Sequence, residues 1–386
     1  MSEQLATRPS EVPANPFLPA PAPVEPPPPT PERTRSGRRL DGLDLLRALA
    51  SCLVFYTHVA SWYRLKQDPM PVSDVIDRFV IGPLHLNKDL GFLGVALFLL
   101  VSGFVMAHVA TKERVGEYGL KRVLRIFPAL FVAVVLAWVL VNVGLYTIPG
   151  GQTSVGVGDL LANMFLLDFF SREFPVLVAV AWTLVPQLGI YAMIGALLVL
   201  FRRAPWVAIA IQITACSVIL SVTSTLTGLP AGAIRNIGAF GIAVVLGQVI
   251  WLVWARKAPL WAGMSLGLAC WVVFAWGDGQ GRARYDDAFP LTLGLAMLLV
   301  ILAVLAGRRV PRWRVVTYLS SRSYAVYLVH QTTSFTVLAL LWPHLSSALA
   351  VPLAIGVTLA VAELLHRAVE RPIASLATRV AGRPSG

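Results

Sequence analysis

The stretch "LDLLRALASCLVFYTHVASW", residues 43–62, decides how the rest of the chain is read. It is apolar enough to lie in a bilayer, yet it carries Arg47 and His58. A charged arginine at membrane depth costs at least ~2.5 kcal/mol on insertion scales, so such a residue points to a polar cavity or a ligand. On a helix, the step from 47 to 58 turns through about 1100°, roughly 20° past three full turns. Both side chains then leave the same face, about 16 Å apart along the axis. The plain alternative is that Arg47 snorkels to lipid headgroups while His58 bonds a nearby backbone carbonyl. Two such groups on one stripe favour function. An uncharged imidazole suits a general base, or a nucleophile toward an activated acyl group.

The rest of the chain is equally poor in charge. Of its 386 residues 56% are hydrophobic and 13% charged, against roughly 25% charged in a soluble domain. Apolar runs of about 20 residues recur along it, the pattern of a multi-span membrane protein. Only helices or closed barrels satisfy their backbone groups in lipid, and continuous rather than alternating runs select helices. The reading is an all-α, polytopic transmembrane bundle. Its ten spans fall near 41–63, 90–110, 124–146, 176–201, 205–227, 233–254, 259–276, 289–307, 316–341 and 347–367. The run "DLLANMFLLDFF" (159–170) is too short to cross and is assigned to the interface or to a re-entrant segment.

Charge placement tests that count. With the amino end inside, 22 of the 32 lysines and arginines fall on the inner segments and 8 on the outer ones, Arg47 and Arg322 lying within spans. This asymmetry predicts that both termini are cytoplasmic. The net charge of +12 is spread in short clusters between apolar runs, and no nucleic-acid-binding pattern accompanies it, so nucleic acid is excluded as a partner. Cys52, Cys216 and Cys270 each sit in a different apolar run and read as packing residues, with no metal site. Residues 1–39, which include "PANPFLPAPAPVEPPPPTPERTRSGRR", are too proline-rich to bury a core; they read as a disordered cytoplasmic tail and not as a signal peptide. The membrane domain is placed at 40–373, and 374–386 is read as a short cytoplasmic tail.

The opening stretch, extended to "LDGLDLLRALASCLVFYTHV", resembles the first-span signature of the acyltransferase family 3 membrane proteins, which O-acylate sugars and other hydroxyl-bearing molecules. "GFLGVALFLLVSGFVMA" (91–107) resembles the second-span motif, with Ser102-Gly103-Phe104 near its end. "KRVLRIFPALF" (121–131), "AWTLVPQLGIY" (181–191), "SRSYAVYLVH" (321–330) and "VERPI" (369–373) follow in the family's order. Each motif alone is weak in apolar sequence; six in order are specific. The resemblance implies an acyl-CoA donor arriving from the cytoplasm, with acetyl-CoA foremost, and an acceptor hydroxyl reached from the opposite or lateral side.

On that reading His58 and Arg47 are the catalytic candidates. Arg122 and Arg125 share a helix face at a cytoplasmic boundary, where guanidinium groups can grip CoA phosphates; Lys121 adds charge and Arg322 is a further donor contact. Ordinary positive-inside anchoring explains such residues equally well. Ser102, Trp182, Gln187, Tyr324, Tyr327 and His330 are assigned to the substrate side, with interhelical packing as the alternative for Ser102 and for the last three. Gln187 departs from the family pattern, which has glutamate five residues after the tryptophan. An amide cannot balance charge, so the resemblance leaves His58 without its customary acid; Asp44, three residues before Arg47, is one substitute. The expected protein is thus a multi-pass acyltransferase of a bacterial plasma membrane, acting on a glycan, glycolipid or glycosylated metabolite among membrane lipids. The rival is a transporter or flippase for a glycan or lipid-linked sugar, using Arg47 and His58 as a coupling relay.

Overall fold

A computed structural model of the protein describes residues 40–68, 70–148, 151–279, 289–311, 313–342 and 344–381. The proline-rich stretch 1–39 and the last five residues lie outside the described residues, as do the expectations placed on them. Ten helices are long and apolar enough to cross a membrane. They are α1 (Asp41–Leu65), α2 (Gly91–Ala110), α3 (Val115–Asn142), α4 (Ala179–Ala196), α5 (Pro205–Thr223), α6 (Leu229–Trp254), α7 (Leu260–Gly277), α8 (Phe289–Ala306), α9 (Arg314–Leu341) and α10 (Ser347–Ala377). No strand occurs among the described residues.

Two boundaries differ most from the hydropathy reading, the others by five residues or fewer. Helix α3 begins at Val115 rather than near 124, because its charged start is used inside the helix instead of ending it. Glu117 and Lys121 pair one turn apart at 2.5 Å, and Glu113, just before the helix, holds Lys121 at 2.8 Å and Arg122 at 3.2 Å. At the other end of the chain, α10 passes through a π-helical turn at His366–Glu370 into a helix over Arg371–Ala381, so the segment assigned to a tail from 374 is helical through Ala381. The short run after α3 forms a helix only over Val157–Met164 and a 3-10 turn over Leu167–Phe169, as its length requires.

Helices α6, α2 and α9 are the centre of the bundle, with 78%, 67% and 67% of their apolar windows buried, against 28–33% for α3, α7, α8 and α10. Helix α6 packs on α2, α4, α5 and α7, while α9 packs on α1 and α10. In lipid, helices gain little from hydrophobicity alone, and close backbone approach through small residues replaces it. The α2–α6 contact is built that way: a Cβ on Gly103 would lie 1.8 Å from the Val244 carbonyl oxygen, and one on Gly247 would lie 2.1 Å from that of Leu100. The outer surface carries leucine, valine and tryptophan, among them Leu268, Leu298, Leu353, Val218 and Trp261.

Helices α1 and α9 lie side by side in the same direction. Ser320 Oγ donates to Asp44 Oδ1 at 2.8 Å near one end, and His58 meets His330 further along. The face of α1 that bears Asp44 and His58 is therefore turned toward α9.

Candidate active site

A cavity of about 430 Å³ opens among α1, α2, α3, α4 and α9. Arg47, Arg122 and Arg125 line it together with Ser102, Gln187, Tyr324 and Tyr327, seven of the residues singled out from sequence. Arg47 stands 3.6 Å from Asp44, the neighbour expected from the helix register. Arg122 bonds Glu113 at 3.2 Å and lies over the Tyr118 ring with its carbon 5.3 Å from the centroid. Among the described residues no carboxylate pairs with Arg125. Three guanidiniums face two paired carboxylates, so this end of the cavity favours an anion.

The polar wall between α2 and α4 follows from local chain geometry. The segment Ala179–Thr183 is a 3-10 turn and the α-helical part of α4 runs over Leu184–Ala196. Pro186 falls in its first turn, where a missing N–H costs nothing. Gln187 then projects toward α2. Its Nε2 donates to Tyr191 Oη at 2.6 Å and to Ser102 Oγ at 3.1 Å, while those two hydroxyls are 2.5 Å apart. Tyr191, which lines the cavity, escaped the sequence reading; its place four residues after Gln187, one turn along the same face, was the available signal. Ser102 precedes the helix-packing residue Gly103 in sequence and lines the cavity.

Tyr324 Oη donates to the Ile126 carbonyl at 2.9 Å, tying α9 to α3. Tyr327 Oη is 2.5 Å from the Val180 carbonyl and 2.6 Å from Thr183 Oγ1, which ties α9 to the turn before α4. The Tyr327 ring meets Phe98 with centroids 5.6 Å apart, and these two close one side of the cavity.

His58 is not among the residues lining that cavity. It contacts His330, whose ring centroid is 6.0 Å from that of the lining residue Tyr327. His330 is 1% exposed and its Nε2 is 3.2 Å from His58 Nδ1. Carbonyl oxygens only accept, so the ring nitrogens facing them carry hydrogen. His330 Nδ1 therefore donates to the Tyr327 carbonyl at 2.7 Å, which leaves a lone pair on its Nε2. His58 Nδ1 faces the Val54 carbonyl at 2.8 Å and that lone pair, so it too carries hydrogen. The free lone pair of His58 is on Nε2. His330 thus backs His58 instead of lining the cavity, a placement that spacing on α9 alone did not give.

Three remaining candidates lie outside the cavity lining. Lys121 is held between Glu113 and Glu117 and borders a groove against the end of α10, which Arg122 and Arg125 also line. Arg322 forms a forked ion pair with Glu363 of α10, at 2.5 and 3.1 Å, and covers the Tyr318 ring. Trp182 packs edge-on against Phe240, centroids 4.8 Å apart.

The model of the acyltransferase domain that defines acyltransferase family 3 matches residues 40–367. The chain is also 25% identical over 389 residues to nodulation protein 10 of Rhizobium leguminosarum bv. viciae, covering 92% of this chain and 98% of that relative. No solved structure matches it. With a match across all but the ends of the chain, and ten helices fit to cross a membrane, this protein belongs to acyltransferase family 3 and is a membrane acyltransferase.

Proposed function

We propose that the protein transfers an acetyl group from acetyl-CoA to a hydroxyl of a glycan, glycolipid or glycosylated metabolite at a bacterial plasma membrane. The observation that carries this is one cavity with arginines Arg47, Arg122 and Arg125 in its wall and with Tyr327 in the same wall, its ring 6.0 Å from that of His330, the partner of His58. The positive-inside count turns the arginine end toward the cytoplasm, where acyl-CoA is found, with both termini on that side. The guanidiniums hold the donor's phosphates by charge-assisted bonds. The pantetheine arm then runs along the polar wall of Ser102, Gln187 and Tyr191 toward Tyr327.

His58 acts on the acceptor. Its Nε2 takes the hydroxyl proton as the hydroxyl oxygen attacks the thioester carbonyl. The carbon–sulfur bond breaks, and the departing CoA sulfur receives that proton from His58. Arg47, about 16 Å from His58 along α1, binds the polar part of the donor beside Arg122 and Arg125. Apolar surroundings make such contacts stronger than they would be in water.

Membranes containing the protein, supplied with radiolabelled acetyl-CoA and a cell-envelope glycan extract, test this. Label is expected in an alkali-labile ester on the extract, and His58→Ala is expected to abolish it. Full activity in His58→Ala would remove His58 from the mechanism. Movement of glycan across the membrane with no acetyl-CoA consumed would establish the transporter instead.

A further inference from the structure

Among the described residues, no carboxylate is hydrogen-bonded to either ring of the His58–His330 pair; the partners are the carbonyls of Val54, Val326 and Tyr327 and the two imidazoles themselves. Resting on the reading of His58 as the base, we infer that His330 is its positioning residue, the neutral acceptor that takes the place of a carboxylate. Three observations carry this. The rings are inclined at 74° with centroids 4.8 Å apart, and His58 Nδ1 is 3.2 Å from His330 Nε2, within hydrogen-bond reach of its lone pair. The Tyr327 carbonyl consumes the only hydrogen of neutral His330, so its Nε2 can only accept. His330 is itself clamped, buried among Phe55, Tyr327 and the backbone of its own helix.

The arrangement does two things for His58. It fixes the tautomer with Nε2 unprotonated, and it fixes the ring plane, since rotation would break the bonds to Val54 and His330 together. When Nε2 takes the acceptor's proton, the Nδ1–H bond to His330 becomes charge-assisted and strengthens. A carboxylate would stabilise that cation more, but burying one in lipid-depth protein carries a desolvation penalty of several kcal/mol. A neutral pair avoids the resting charge.

Two substitutions of His330 separate this role from packing. In His330→Asn the side-chain amide reaches the position of Nδ1 and can satisfy the Tyr327 carbonyl, but it stops short of His58. In His330→Gln the amide oxygen reaches the position of Nε2 and can accept from His58. Steady-state kinetics with acetyl-CoA, on the full-length protein in nanodiscs, are read for kcat and KM, with thermal unfolding recorded beside them. The expected result is a kcat fall of about 100-fold or more in His330→Asn. His330→Gln should recover to within about tenfold of wild type, with donor KM unchanged in both because His330 does not border the cavity. Equal kcat in the two variants, whether both high or both low, overturns the inference, and so does a loss confined to KM. Loss of folding in His330→Asn with a fully active His330→Gln still supports an acceptor at this position; an inactive but folded His330→Gln overturns it. If wild type transfers acetyl and His58→Ala does not, while His330→Asn is normal, only this inference fails; if wild type transfers nothing, the proposed function fails first.

Discussion

Phe98 on α2 and Tyr327 on α9 meet edge to face, ring centroids 5.6 Å apart at 72°; both line the arginine-bearing cavity, and the Tyr327 ring is 6.0 Å from that of His330. If the two rings divide the cavity from the histidine pair, Phe98 is the movable half of that partition, because the Tyr327 hydroxyl is fixed to α4 through Val180 and Thr183. In Phe98→Ala the partition opens and water gains a path to a bound thioester. Release of CoA in the absence of acceptor is expected to rise severalfold, followed with a thiol reagent, while Phe98→Leu stays near wild type. An unchanged hydrolysis rate in Phe98→Ala would show that Phe98 does not divide the two compartments.

Arg125 and Lys121 lie one turn apart on α3 but have different surroundings. Lys121 is neutralised by two glutamates and is absent from the cavity lining, whereas Arg125 lines the cavity and, among the described residues, pairs with no carboxylate. Arg125→Ala is expected to raise KM for acetyl-CoA about tenfold, the loss of roughly 1.4 kcal/mol of binding, with kcat little changed. Lys121→Ala should leave KM within about twofold. Reversal of that order would show that Lys121, and not Arg125, meets the donor's phosphates.

Gln187 donates both hydrogens of its amide, one to Ser102 and one to Tyr191. In Gln187→Glu the carboxylate accepts from the two hydroxyls instead, at the expense of the bond between them, so the volume persists while a negative charge enters a cavity lined by three arginines. Donor KM is expected to rise several-fold with little change in thermal unfolding. A lower KM would mean that an acid at 187 orders the site more than it repels the donor.

The α2–α6 crossing supplies a stability test. Gly103→Ala drives a methyl into the Val244 carbonyl, where backbone must move, and is expected to cost at least about 3 kcal/mol, read as loss of folded protein in detergent. Gly232, also on α6, has no heavy atom within 4 Å of a built Cβ. Gly232→Ala is expected to be neutral or to stabilise by up to about 1 kcal/mol through helix propensity.

Asp168, in the 3-10 turn between α3 and α4, is 3% exposed, and burial raises its pKa from 3.8 to about 7 despite hydrogen bonds to backbone amides. The folded state thus binds this proton more tightly than the unfolded state. Relative stability from Asp168 is full below pH 3.8 and falls progressively as pH rises to about 7, beyond which the loss is complete. Asp168→Asn removes the dependence. Its advantage over wild type in thermal unfolding is expected to grow from pH 4 to 7 and then level, reaching on the order of 4 kcal/mol. A constant difference across that range would assign the residue an ordinary polar contact.

The number of spans, and the face shared by Arg47 and His58, were legible in sequence because each is a property of a single helix. A span is a length of apolar residues and a face is a 3.6-residue period, and both follow from backbone geometry before any helix meets another. The start of α3 was not legible by hydropathy, since Glu113, Glu117 and Lys121 read as a boundary until their mutual pairing lets the helix run through them. What the tertiary structure alone decided is which side chains meet. His330 lies 272 positions from His58, and Tyr191 lies 89 from Ser102; no local period encodes either pairing. Packing of α9 along α1, and of α4 on α2, brings those atoms within hydrogen-bond reach. The same packing left Arg322 with Glu363 on the far side of α9 from the cavity, because one helix cannot turn all its polar residues toward a single neighbour.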